Sequence, residues 1–188
     1  MQNVKIIFIG VKAMNYERYL AKNTSTLINK NVIVTGATGG LGKDICFFLA
    51  KLNANIILVS RNLNRLNSLK EEILKINNKI YVSIYTCDFT NIDSVKECVK
   101  ELNKLDINYL INNAGAYHIP NKVTSLGYNN VFQINFITPF YMTKSLLPNL
   151  EKHNGKVINV NSIAHNFTKL DKDNIEFNNH KPIKIYGL

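Results

Sequence analysis

The stretch Val32-Ile33-Val34-Thr35-Gly36-Ala37-Thr38-Gly39-Gly40-Leu41-Gly42-Lys43 constrains the fold more than any other part of the chain. A β-branched run breaks into glycines, and Leu41, Ile45, Leu49 and Leu52 then recur near helical spacing. Such a continuous apolar run reads as a strand of a parallel sheet covered on both faces, so the glycines fall where strand becomes helix. Gly36 permits a sharp turn at the strand's end, Gly40 lacks the Cβ that would hold an anion off the backbone amides, and Gly42 lets the helix lie close on the sheet. A pyrophosphate placed there would meet free amides at the positive end of the helix. The alternative is a turn that is merely tight.

Length and charge narrow the class. A chain of 188 residues suits one compact unit, with 31–188 forming the domain and 1–30 an N-terminal extension of open role. Val4 to Val11 fits a strand or the end of a membrane anchor, but Lys5 interrupts it and no clear cleavage site follows. No apolar run approaches the ~20 residues a bilayer requires. The net charge of +10 is spread among many asparagines and isoleucines without a basic stripe or interleaved aromatics, so a solvated surface is expected and nucleic acid is not. Cys46, Cys87 and Cys98 lack metal-like spacing and read as small buried hydrophobes in a reducing, intracellular compartment. His118, His153, His165 and His180 form no ligand pair, so no metal site is expected.

Further along, Asn55 to Val59 is a second buried strand ending in Ser60-Arg61. An acid near this strand end would accept hydrogen bonds from a ribose 2′-hydroxyl and repel a 2′-phosphate. None stands here, and the Arg61 guanidinium either grips that phosphate or packs on an adenine face. Leu63 to Ile76 has helical spacing, and Lys79 to Tyr85 alternates into Cys87-Asp88-Phe89-Thr90. Read by itself, Asp88 suits an N-cap or turn carboxylate feeding a helix over Ile92 to Leu105. Ile107 to Ile111 then runs into Asn112-Asn113-Ala114-Gly115, Ser125 to Leu150 reads as one long helix bent near Pro139, and Lys156 to Asn161 is a fifth strand before Ser162-Ile163-Ala164-His165. Asn135 is a polar amide among apolar neighbours inside the long helix.

The pattern Thr-Gly-x-x-x-Gly-x-Gly with Asn-Asn-Ala-Gly resembles the short-chain dehydrogenase/reductase family, and Ser-Ile-Ala-His resembles its retinol-dehydrogenase-like branch. The resemblance implies a three-layer, Rossmann-type, doubly wound parallel α/β sheet, incomplete on its C-terminal side. It implies that Thr35, Gly36, Thr38, Gly39, Gly40, Leu41, Gly42, Arg61, Asp88, Phe89, Asn113, Ala114 and Gly115 bind cofactor, with NADP(H) expected before NAD(H). Asn135 would hold a relay water, Ser162 would hydrogen-bond the substrate oxygen, and Tyr186 would exchange its proton. The lysine of the family's Tyr-x-x-x-Lys would be residue 190, so a longer protein or a truncated product is expected. The implied activity is an oxidoreductase interconverting an alcohol and an aldehyde or ketone, lipophilic ones included. Membrane association, a cytoplasmic location and a homodimer of the full-length protein are compatible with it. The alternative is a catalytically inactive dinucleotide-binding or interaction protein.

Overall fold

The computed structural model describes residues 26–117 and 119–162. Within them β1 (Asn31–Thr35), β2 (Asn55–Ser60), β3 (Val82–Thr86), β4 (Tyr109–Asn112) and β5 (Lys156–Asn159) form one parallel sheet in the order β3-β2-β1-β4-β5. Helices α1 (Gly40–Lys51), α2 (Leu63–Ile76) and α3 (Ile92–Leu102) make the first three crossovers. The fourth is a short helix α4 (Asn130–Phe132), a π turn (Gln133–Ile137) and α5 (Thr138–Lys152). The expected Rossmann-type architecture is therefore present. The chain works outward from β1 through β2 to β3 and then returns to the far side of β1 as β4. The sheet thus reverses direction between β1 and β4, the place where open parallel sheets leave a crevice.

Period-two alternation builds the three layers. Val32, Val34, Ile56 and Leu58 face one side, where Cys46, Leu49 and Ala50 of α1 and Leu66, Leu69 and Ile73 of α2 cover them. Ile33, Ile57 and Val59 face the other, against Val95, Val99 and Leu102 of α3 and Met142, Leu146 and Leu150 of α5. Each fully buried Leu or Ile stabilises the fold by roughly 1.5–3 kcal/mol relative to exposure, so both faces hold their helices by hydrophobic burial. Strand registers such as Val32↔Ile56 and Ile56↔Val82 level the carboxyl ends of the strands along one edge.

The segment Ser125–Leu150 is not one helix. Gly127 turns at φ +83°, its N–H donates to the Thr124 carbonyl, and Val123 bridges to Asn129, so the chain doubles back before any helix begins. Helix starts only at Asn130, where the Asn129 side chain accepts from the Val131 N–H at 2.8 Å. Pro139 sits in the first turn of α5, behind the π turn that contains Asn135. The bend expected at Pro139 is thus a change of helical register. The helix after Asp88 ends at Leu102 and the fifth strand at Asn159, short of the Leu105 and Asn161 expected from sequence.

Candidate functional site

Thr35 ends β1 fully buried, and its hydroxyl organises the switch point. The Thr35 Oγ1 donates to the Ile111 carbonyl at 3.3 Å and accepts from the N–H groups of Asn113 and Ala114, each at 3.0 Å. The Asn113 Nδ2 donates back to the Thr35 carbonyl at 3.0 Å and the Gly36 carbonyl at 3.3 Å. Thr35, Gly36, Asn113 and Ala114 are therefore one hydrogen-bonded unit, which the structure brings together from sequence positions about eighty residues apart. Gly36 turns at φ +63°, and a Cβ there would stand 2.7 Å from the Ala114 Cα. At Gly42 a Cβ would collide with the Gly36 carbonyl and lie 2.7 Å from Asn113 Nδ2. Both glycines are required by packing.

Gly40 is not. A Cβ there would meet nothing within 4 Å, and protein packing gives no reason for its absence. Gly40 opens α1, whose N-cap Gly39 offers no side-chain cap and whose first turn holds no acid. The Gly39 N–H is taken by the Gly36 carbonyl and the Lys43 N–H by the Gly39 carbonyl. That leaves the amides of Gly40, Leu41 and Gly42 without helical acceptors. Three unpaired amides at a positive helix end, with open space before them, fit an anion such as a pyrophosphate. Leu41 is exposed beside them.

Next along the edge, the hydroxyls of Thr38 and Ser60 lie 2.8 Å apart, linking the glycine loop to the end of β2. Arg61 follows on the surface, and the α2 helix beyond it is capped by the Asn62 side chain accepting from the Arg65 N–H at 2.9 Å. No acid occupies the first turn of α2. At the end of β3 the Asp88 carboxylate is exposed and accepts from the Thr90 N–H at 2.9 Å and the Thr90 hydroxyl at 2.8 Å. It is thus a turn carboxylate, whereas the N-cap of α3 is Asn91, which accepts from Asp93 and Ser94. Phe89 is buried below that turn.

Across the switch point, Asn112 ties β4 to β5 by donating from Nδ2 to Asn159 Oδ1 at 2.9 Å, and to the Thr143 hydroxyl of α5 at 2.9 Å. Asn135 faces Gly115 and is engaged at both ends of its amide. Its Oδ1 accepts from the Ala116 N–H at 2.8 Å and its Nδ2 donates to the Ala116 carbonyl at 3.0 Å. Ser162 lies half-buried beyond the end of β5, on the same edge of the sheet. Tyr186 and His165 lie outside the described residues. Sequence reasoning missed Gln133 and Thr138, which both bond the Phe89 carbonyl; a polar residue inside the apolar run Gln-Ile-Asn-Phe-Ile-Thr was the available signal.

The thiols of Cys46, Cys87 and Cys98 are all buried. Burial pushes Cys46 up to about 12. A hydrogen bond to Cys98, reinforced by burial, holds the Cys87 proton in place. At the opposite edge, a shallow groove is lined by Asn31, Asn55, Tyr81 and Asp106. Asn31 donates to the Asp106 carbonyl, Asn55 to Asn31, and the Tyr81 N–H to Asn55, so these polar groups serve one another. Among the described residues no cluster of His, Cys, Asp and Glu is arranged to hold a metal ion, and no helix is long and apolar enough to cross a membrane.

The family described as short chain dehydrogenase matches residues 30–170. Polyprenol dehydrogenase of Homo sapiens is 30% identical over 155 residues, covering 77% of this chain and 46% of that protein. Retinol dehydrogenase 13 of Homo sapiens is 31% identical over 162 residues, covering 84% and 48%. The chain spans about half the length of these curated relatives. Among solved structures, a short-chain dehydrogenase from Sphingobium yanoikuyae in complex with NADPH superposes with a TM-score of 0.67 at 22% identity, over 84% of this chain and 59% of that one.

Proposed function

The chain belongs to the short-chain dehydrogenase family, and from that premise we propose that it is the NADP(H)-binding part of an oxidoreductase that interconverts an alcohol and a carbonyl. One observation carries the reading: the α1 N-terminus presents the amides of Gly40, Leu41 and Gly42 to open space, with a glycine at residue 40 that packing does not require. The pyrophosphate would rest on those amides. The Ser60 hydroxyl and the Arg61 guanidinium would receive the 2′-phosphate, with no acid in the adjoining helical turn to oppose it. Among the described residues the arginines are Arg61 and Arg65, in a chain otherwise supplied with lysine. A planar guanidinium fork suits a phosphate better than an ammonium does, which favours NADP(H) over NAD(H). The NADPH held by the Sphingobium relative is in keeping with this. Asp88 would meet the adenine end, with Oδ1 already held by Thr90.

The bound nicotinamide supplies hydride transfer to or from the substrate carbon. Asn135 would hold the relay water, and its backbone carbonyl is the suitable group. Its side chain is committed to Ala116, and residue 139 is a proline, so the N–H that would bond that carbonyl in an α-helix does not exist. Ser162 would hydrogen-bond the substrate oxygen and Tyr186 would exchange its proton. Calorimetric titration of the chain with NADPH and NADH tests the cofactor reading. NADPH should bind more tightly, and Arg61→Ala should weaken it by about 10- to 100-fold, the size of one charge-assisted hydrogen bond. NADH should change little. Equal losses for both cofactors overturn the 2′-phosphate assignment. Binding without hydride transfer by the full-length protein would instead favour the non-catalytic reading.

A further inference from the structure

The carbonyl of Phe89, at the Asp88–Phe89 turn, takes two buried hydrogen bonds from the π turn. Gln133 donates from Nε2 at 3.0 Å and Thr138 from Oγ1 at 2.9 Å, and both residues are fully buried. These two residues bracket the π turn, and the Thr138 N–H donates to the Gln133 carbonyl five residues back. In an α-helix, residues five apart point about 140° away from each other. A turn closed five residues on brings them toward one side, so the π register is what lets both side chains address a single carbonyl. Between them, Asn135 grips Ala116 through both ends of its amide.

The Gln133 Oε1 is buried with no hydrogen-bond partner among the described residues. An apolar side chain of similar size would avoid that loss, so stability alone does not account for an amide at this position. Its contribution is the donor it gives to Phe89.

We propose that Gln133 and Thr138 are positioning residues: by holding the Phe89 carbonyl together they fix the π register that sets Asn135 against Ala116, and they join the Asn135 end of the site to the Asp88–Phe89 turn. The second part rests on the nucleotide reading given above. Nucleotide seated at the turn and the geometry at Asn135 then report on each other, although they lie on opposite sides of the switch point.

Hydrogen exchange at the Ala116 amide, whose acceptor is Asn135 Oδ1, reads the register without any ligand. Thr138→Val removes one donor at nearly constant shape, Gln133→Leu removes the other, and Thr138→Ser retains it. Relative to the Val34 amide at the centre of the sheet, Ala116 exchange should quicken by about tenfold in the first two variants and return toward wild type in Thr138→Ser. Parallel titration with 2′,5′-ADP should show an affinity loss of about tenfold in the same two variants and recovery in the third. Ala116 exchange that keeps pace with Val34 in both variants overturns the register clamp. Faster exchange with unchanged 2′,5′-ADP affinity overturns the link to the turn. Failure of the unsubstituted chain to bind 2′,5′-ADP overturns the nucleotide reading and the link together, while the exchange comparison still decides the clamp.

Discussion

A methyl group added at residue 42 would be driven into the Gly36 carbonyl and toward Asn113 Nδ2, whereas one added at residue 40 would meet open space. Two glycines in one loop therefore answer to different demands, one to packing and one to what the loop holds. Gly42→Ala should destabilise the fold by about 1–3 kcal/mol, the usual range for overpacking, seen as a lower urea midpoint. Gly40→Ala should leave that midpoint unchanged or slightly raised, since alanine favours a helical turn by up to about 1 kcal/mol, yet should weaken NADPH binding severely. A Gly40→Ala chain that binds NADPH normally would remove the pyrophosphate from this loop. The thiols make a second residue-scale case. With burial pushing Cys46 up to about 12, its thiolate is scarce at pH 8, so iodoacetamide should label it only after urea unfolds the chain.

At the level of elements, asparagine supplies most of the punctuation. Asn62, Asn91 and Asn129 cap helices through their side chains, and Asn53 and Asn154 take positive φ just after α1 and α5. The asparagine-rich composition thus places small amides where short polar side chains bond their own backbone most readily. Asn91→Ala should cost about 1 kcal/mol of stability by urea titration, because two N–H groups of α3 lose their acceptor. Asp88→Ala should cost less, since the hydrogen bonds of its carboxylate are to Thr90 and its backbone bonds survive the substitution, and should act instead on nucleotide affinity. The reverse order would return Asp88 to the capping role. Pro139, in the first turn of α5, withholds from the Asn135 carbonyl the N–H that an α-helix would supply four residues on.

Over the whole molecule, the glycine loop, Ser60, the Asp88 turn, Asn113 and Ser162 all lie at the carboxyl edge because every strand is parallel and the registers are level. The net charge of +10 favours the approach of an anionic ligand to the chain. Affinity for 2′,5′-ADP should therefore fall as salt rises from low to physiological strength, where the screening length shrinks to about 8 Å. An affinity indifferent to salt would place the phosphates away from the basic side chains. What the residues determined alone was local. The β-branched run before Gly36 and the three- and four-residue spacings of Leu66, Leu69, Ile73 and Ile76 dictated a strand, a turn and a helix whose bounds, Leu63–Ile76, needed no distant partner. Tertiary structure decided what depended on distant groups: that Gly42 packs against Asn113, that Asp88 turns rather than caps, and that the expected long helix breaks into a π turn at Asn135. The π register satisfies a carbonyl at Phe89, 44 residues before Gln133, and hydrogen bonds of that reach leave no periodicity in the chain.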